Sequence, residues 1–436
     1  MLSRALTRSL RPSPQPQCLL RLLSLPLRPL HHQRALPLLT QTRLQSSSSS
    51  SRGSGKGILP NGWNRNHLMA LLAILFSATG ITLGLWGYSN YLSYLADTTH
   101  SYPKPVAKEL RKALYYSLPS SSSPRDAVKH FRLALEQCRD LGMDPLSDEV
   151  TGIKIELAGV LLHHGLVERG VEVLEGVLDE VVSAAKAEKV DEGARRKLLR
   201  RGVGIAARVG EVYVGKGRYA EAEEALGWAV ETAVREASKS PPSPPLPPPK
   251  DGGGGGGGEE RLPVVKTPGQ DIQPHQDWLS NSEMSSLLEA LASVYESTNR
   301  FFLATPLYLH ALEYMPPNNC HSVVLMNNLS ATLSQQATAP TLPVSREQLV
   351  ADSATPWAQK ALKLASSIKA PDRTEECDLG CAVATHNLAE FAEILGDREL
   401  ARQRYLEARS LARAMGAEEG VRRAEEGLKR VGGEGV

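Results

Sequence analysis

The chain has 436 residues with 36 Gly, 29 Pro and five Cys, room for two or three ordinary domains but too much Gly and Pro for all of it to be core. Its net charge of +2 hides an asymmetry: ten of the 50 Lys and Arg and none of the 48 Asp and Glu precede Asp97, so the first 96 residues carry +10 and the rest −8. An acidic remainder argues against a nucleic-acid partner, which requires a basic face, and the few scattered cysteines do not make a disulfide scaffold.

Residues 1–50, with a serine tract from Ser46 at their end, are rich in Arg, Leu and Ser and free of acids. That is the composition of a mitochondrial presequence. Arg21, Arg28 and Arg34 interrupt every apolar stretch that would otherwise serve as a secretory signal. Residues 51–67 form a basic juxtamembrane segment. Within it Gly53 to Gly57 imitates part of a phosphate loop, but Gly57 stands where Ser or Thr is required and no strand precedes it.

Residues 68–88 are predicted to cross a membrane. Leu68 to Gly87 holds 20 uncharged residues, which as a helix measure about 30 Å, the thickness of a bilayer core. Arg52, Lys56 and Arg65 lie just before it and the first charge after it is Asp97. Excess Lys and Arg mark the side that is not translocated, which in a matrix-targeted chain leaves the C-terminal part in the intermembrane space. Trp63, Trp86, Tyr88, Tyr91 and Tyr94 fall where interfacial aromatics are expected. Gly80 and Gly84 form a small-xxx-small pair suited to packing against a second transmembrane helix.

Beyond Pro105 apolar residues recur at three and four spacing, and a longer period is superimposed. Val209, Gly210, Tyr213, Gly217, Tyr219, Ala222, Leu226 and Ala229 match positions 7, 8, 11, 15, 17, 20, 24 and 27 of the 34-residue tetratricopeptide repeat. The same positions are filled by sets starting at Leu157, Leu291 and Leu388. Two weaker units lie around Leu114 and Leu329, the latter with its second helix delayed to Thr355–Ser367, and Glu418 to Arg430 reads as a polar closing helix. The expected fold is all-α: a tetratricopeptide-repeat superhelix of about six helix pairs after a single N-terminal transmembrane helix. Its repeats occupy 105–238 and 282–431, separated by a Pro- and Gly-rich insertion at 239–276.

The sequence carries no nucleophile elbow, zinc spacing or dinucleotide fingerprint, so no enzyme, cofactor or metal site is expected. His163 and His164 fall at a turn. Cys377 and Cys381 are one helical turn apart, while Cys320 has no obvious second cysteine near it in sequence. Buried small hydrophobes are the reading of these thiols, with a thiol oxidoreductase using Cys377 and Cys381 as a rival. Of the carboxylate clamp used by chaperone-tail-binding repeats, only Lys112 and Arg208 are in place; Tyr116, Glu156 and Gly204 occupy the other positions. The C-terminal repeats instead offer a polar, mildly acidic groove face of Glu289, Asn327, Asn328, His386, Asn387, Glu390 and Glu393.

Four stretches, YPKPVAKELRKALYYS (102–117), LGMDPLSDEVTGIKIELAGVL (141–161), CHSVVLMNNLS (320–330) and CAVATHNLAEFAEILGD (381–397), together resemble the fungal mitochondrial-genome-required repeat protein family. The resemblance implies a single-pass inner-membrane adaptor of the i-AAA protease. Such a protein would work with a partner adaptor in the same membrane and recruit unfolded clients through repeats in the intermembrane space. The rival assignment is an outer-membrane import receptor binding chaperones or preproteins, against which the missing clamp and the long leader both count.

Overall fold

The structure is a computed structural model that describes residues 65–118, 123–187, 190–239, 278–316, 318–336 and 344–432. The leader, most of the juxtamembrane segment and nearly all of the Pro- and Gly-rich insertion lie outside the described residues. Among the described residues every regular element is a helix. They fall into two compact units divided between His164 and Gly165.

The first unit holds α1 (Arg65–Thr99), α2 (Lys104–Ser117), α3 (Pro124–Asp140) and α4 (Asp148–His163). Helix α1 contains Met69–Tyr91, 23 residues long and apolar enough to cross a membrane. From Met69 to Asn90 its side chains are exposed. The helix does not stop where the apolar run stops. It continues to Thr99, which is buried and accepts a 2.8 Å hydrogen bond from Arg111 Nε. Three residues on, Tyr102 is buried and its hydroxyl donates to the Glu149 carbonyl at 3.2 Å. Behind this junction Val106, Leu110 and Ala113 of α2 and Ala127, Phe131 and Ala134 of α3 are buried where the two helices pack. Pro at the first turns of α2 and α3 gives up N–H groups that have no helical partner in any case.

The second unit runs through α5 (Val167–Ala185), α6 (Glu192–Gly215), α7 (Tyr219–Ser238), α8 (Asn281–Ser297), α9 (Phe301–Glu313), α10 (Cys320–Gln335) and α11 (Arg346–Leu349). After a π-helical turn at Val350–Ala354 it ends with α12 (Thr355–Ser367), α13 (Glu375–Ile394), α14 (Arg398–Ala414) and α15 (Glu418–Gly432). Apart from α11, which runs through the π-helical turn into α12, helices adjacent in sequence pack against one another, and α10 also lies against α12 and α13.

The repeat pattern acts through two devices. The residue at position 15 reverses the chain in a left-handed conformation: φ is +77° at Gly165, +71° at Gly217, +58° at Asn299 and +85° at Gly396. These are residue types that tolerate that region at little cost. In three of the turns the next N–H reaches back five residues, Arg218 to Tyr213, Arg300 to Tyr295 and Asp397 to Ala392, at 2.8–2.9 Å. Those bonds satisfy carbonyls that the ending helix leaves open. The second device is close approach. Ala222, Ala229, Ala292, Ala304, Ala311, Ala389 and Ala401 are fully buried, and a Cβ added at Gly210 would sit 2.5 Å from Leu226 Cγ. Helix axes approach this closely only where side chains are small.

The insertion interrupts the sequence without interrupting the stack. Helix α7 packs on α8, and Trp278, at the downstream end of the insertion, is buried with its indole N–H donating to Ala233 O at 3.2 Å. Arg300 at the start of α9 makes a two-pronged contact to Glu223 on α7, its Nη1 donating to Oε1 at 2.9 Å. Arg200 of α6 likewise reaches Glu283 of α8 at 3.3 Å.

Candidate functional site

The residues singled out in the C-terminal repeats sort into two networks. The first joins α8, α10 and α13. Glu289 is buried on α8; its Oε2 lies 3.0 Å from His321 Nε2 and its Oε1 accepts from Asn328 Nδ2 at 3.3 Å. His321 Nδ1 is 3.7 Å from Glu376 Oε1 on α13, so this imidazole stands between two carboxylates on different helices. Asn327 and Asn387, both buried, face the helix–helix contact. Asn327 Nδ2 donates to Gly380 O at 2.9 Å, while Asn387 Nδ2 reaches Asn327 O at 3.3 Å and Ser330 Oγ at 3.2 Å. Gly380 permits this: a Cβ there would lie 2.6 Å from Val323 Cγ1.

The second network joins α13, α14 and α15. His386 Nε2 lies 3.4 Å from Glu390 Oε1, and the imidazole stands edge-on to Tyr405 with ring centroids 5.4 Å apart. Glu393 accepts from Tyr405 Oη at 2.6 Å and from Arg430 Nε at 2.8 Å. Burial works against ionisation of Glu390 and Glu393, yet His386 at the first and Arg430 with Tyr405 at the second hold both carboxyls below the ordinary value. Of the seven residues, then, Glu289, Asn327 and Asn387 are buried, and Asn328, His386, Glu390 and Glu393 are half-exposed.

Sequence reasoning missed His321, Glu376 and Arg430, because their roles depend on which helix lies alongside. It also missed the pairing of Cys320. That residue is not a free buried thiol but forms a disulfide with Cys377, 57 residues away, with Cα atoms 4.8 Å apart. Packing of α10 against α13 brings the starts of the two helices together. Cys381 is left as the free, half-buried thiol of the trio, so neither the reading of all three as buried small hydrophobes nor the rival pairing of Cys377 with Cys381 describes the bond that forms.

Charge completes the picture. Helices α8, α10 and α13, the first helices of three successive pairs, contain eight Asp and Glu and no Lys or Arg. A cavity of about 410 Å³ lies elsewhere, lined by Leu362, Lys363, Leu388, Phe391, Leu400 and Arg404 between α12, α13 and α14. On α1, a Cβ at Gly80 or Gly84 would meet nothing within 4 Å, so that face is open. No group of three or more His, Cys, Asp or Glu suited to a metal ion occurs among the described residues.

No family model matches the chain. It is 24% identical over 323 residues to a TPR repeat-containing protein of Schizosaccharomyces pombe, covering 74% of this chain and 76% of that one. It is 31% identical over 116 residues to protein MRG3-like of Saccharomyces cerevisiae, 26% of this chain and 25% of that one. Among solved structures it is similar to BtubC from P. vanneervenii (TM-score 0.41, 14% identity, 72% of this chain and 91% of that one). It is also similar to the C-terminal part of a TPR repeat-containing protein from Cytophaga hutchinsonii (TM-score 0.43, 12% identity, 79% and 97%).

Proposed function

We propose that this chain is a non-enzymatic, membrane-anchored adaptor that holds extended segments of other proteins against α8, α10 and α13. The observation that carries the reading is the anionic, cation-free character of those three helices. An unfolded segment bearing Lys or Arg between apolar residues meets acceptors along such a face, where the cations that reach it, Arg200 at Glu283 and Arg430 at Glu393, come from neighbouring helices. Modest affinity per segment suffices for a chain that must later be released. Asn328, His386, Glu390 and Glu393, half-exposed, are the proposed contacts; Glu289, Asn327 and Asn387 set the positions of the helices beneath them.

The finer assignment follows from the sequence resemblance: service to the i-AAA protease of the mitochondrial inner membrane, alongside a partner adaptor. The N-terminus would lie in the matrix and the repeats, 105–238 and 282–431, in the intermembrane space. The acid-free leader and the basic flank of the apolar helix support that address. Gly80 and Gly84 are the proposed contact with a second transmembrane helix.

One experiment tests site and address together. A photocrosslinking residue is placed at Asn328 or His386 of the full chain in mitochondria, with Gln403 on α14 as the control, and adducts are identified with and without external protease. The expected adducts are non-native polypeptides and the i-AAA protease, at 328 and 386 well above 403, and they survive protease until the outer membrane is ruptured. Adducts that external protease removes in intact mitochondria would instead make the chain an outer-membrane receptor. Equal labelling at 403 would remove the groove.

A further inference from the structure

Between Lys104 and Arg132 the chain carries seven Lys and Arg against two acids, in a protein whose residues beyond Asp97 are otherwise acidic. On α2, Lys104, Lys108 and Arg111 are exposed at spacings of four and three, with exposed Tyr115 four further on, so they form one stripe. On α3, Arg125, Lys129 and Arg132 repeat the spacing and are also exposed. The two acids are spent internally. Glu109 is half-buried and binds Lys112 at 2.8 Å and His130 at 2.7 Å, and Asp126 accepts from Ser123 Oγ at 2.6 Å. None of these contacts neutralises the stripes.

Position gives the charge a meaning. The apolar run of α1 ends at Tyr91 and the helix continues unbroken to Thr99, eight residues or about 12 Å on. There Arg111 Nε binds Thr99 Oγ1, which ties the middle of α2 to the last turn of α1. The basic stripe of α2 is therefore held beside the end of the apolar helix, not carried on a free linker. A Debye length at physiological salt is about 8 Å, so charges this near a bilayer surface feel its potential only if they approach it closely, and a long flexible side chain does.

We propose that the basic stripes of α2 and α3 rest on anionic phospholipid headgroups of the membrane that α1 crosses, fixing the first repeat against the bilayer. The proposal rests on reading α1 as a membrane span. It makes Lys104, Lys108 and Lys129 lipid contacts, with Tyr115 placed as an interfacial aromatic. It also accounts for basic residues on the far side of the span, which sit poorly with a simple charge rule for orientation but well with a headgroup contact.

The test uses the full chain in nanodiscs of phosphatidylcholine alone or mixed with phosphatidylglycerol. Amine-labelling rates are read by mass spectrometry at Lys104, Lys108 and Lys129, with Lys360 and Lys363 of α12 as references. Anionic discs are expected to slow labelling at the three sites by roughly fivefold or more, the effect of about one interfacial charge contact. High salt should restore the rates, and Lys360 and Lys363 should not change. In a Lys108→Glu/Lys129→Glu variant, whose exposed positions leave the core intact, protection of Lys104 should fall away. Equal rates in both kinds of disc, with the chain still resistant to carbonate extraction, overturn the lipid contact and leave the span standing. Protection that appears only when a soluble acidic protein is added overturns it in favour of a protein partner. Loss of the chain from the discs on carbonate extraction overturns the span and the lipid contact together.

Discussion

The repeat built by α8 and α9 and the repeat built by α13 and α14 contain the same tyrosine–glutamate pair, its tyrosine buried in both. Tyr308 Oη donates to Glu296 at 2.8 Å and Tyr405 Oη donates to Glu393 at 2.6 Å, each across twelve residues. Burial pushes both phenols well above their ordinary value. The two carboxyls nevertheless respond in opposite directions. At Glu296 burial, reinforced by the charge of Glu289, outweighs the tyrosine bond and the carboxyl is pushed up. At Glu393 burial is shallower and is outweighed by Arg430 and Tyr405, and the carboxyl is held down. Arg430 belongs to α15, whereas α10, which follows the interior repeat, has no Lys or Arg at all. One repeat position is thus a cost inside the stack and a contribution at its end, depending on how deeply the carboxyl is buried and on what the next helix supplies.

The strongest way to probe the comparison is to damage the element the two repeats share. Ala304 and Ala401 occupy position 20 and are fully buried. Glu at either should cost about 3–5 kcal/mol, since each places an unpaired charge between helices. Nearest-neighbour coupling makes the reach differ. Hydrogen exchange should rise in α7 and α10 as well as α8 and α9 for Ala304→Glu, and in α12 and the closing helix α15 as well as α13 and α14 for Ala401→Glu. Protection loss confined to the mutated pair in both variants would break the picture of coupled repeats. Next in size is the Cys320–Cys377 link, present only in the C-terminal part of the comparison. Closing a loop of 57 residues is worth about 2–4 kcal/mol. Cys320→Ser/Cys377→Ser, or reduction of the unmodified protein, should lower the melting temperature and loosen α10 and α13 ahead of α6 and α7. An unchanged melt on reduction would remove that distinction.

What the sequence made legible were features whose partners are a few residues away. Gly165, Gly217, Asn299 and Gly396 announce turns because a left-handed residue is a local requirement, and all four adopt it. The alanines at positions 8, 20 and 27 announce close packing because helical spacing puts them on one face. The delayed helix at Thr355–Ser367 has the bounds its periodicity predicts. Illegible features depend on stacking at a distance. Cys320 finds Cys377 only when α10 lies beside α13, and Asn327 and Asn387 read as groove positions until Gly380 lets α13 close enough to bury them. The length of α1 was also hidden: hydropathy marks where the apolar run ends, but the helix is carried on to Thr99 by a hydrogen bond from Arg111 and by burial of Thr99 itself. Asn328, His386, Glu390 and Glu393 keep part of their surface exposed, so there the proposed groove rests on the face that periodicity assigns.

The smallest effects sharpen the comparison most, because they isolate its sign. Glu393→Gln removes a carboxylate whose partners remain, and should cost about 1 kcal/mol at neutral pH, a modest value because Arg430 is half-exposed and screened. Glu296→Gln should cost nothing at neutral pH or stabilise slightly, because it removes a charge that burial penalises. The pH dependence follows from the directions. Glu393 is held below its ordinary value of 4.5, so its contribution is present above about that pH and is lost as pH falls through the lower folded value. Glu296 is raised above 4.5, so its penalty is present at neutral pH and is relieved as pH falls through the raised value, before Glu393 begins to protonate. Urea unfolding of the unmodified chain and both variants across this range, taken as differences at each pH, separates the two. The advantage of Glu296→Gln over the unmodified chain should shrink as pH falls toward 4.5, while the deficit of Glu393→Gln should persist until below 4.5 and then close. If Glu296→Gln were the more damaging change at neutral pH, the interior tyrosine bond would outweigh burial after all, and the two repeats would differ only in degree.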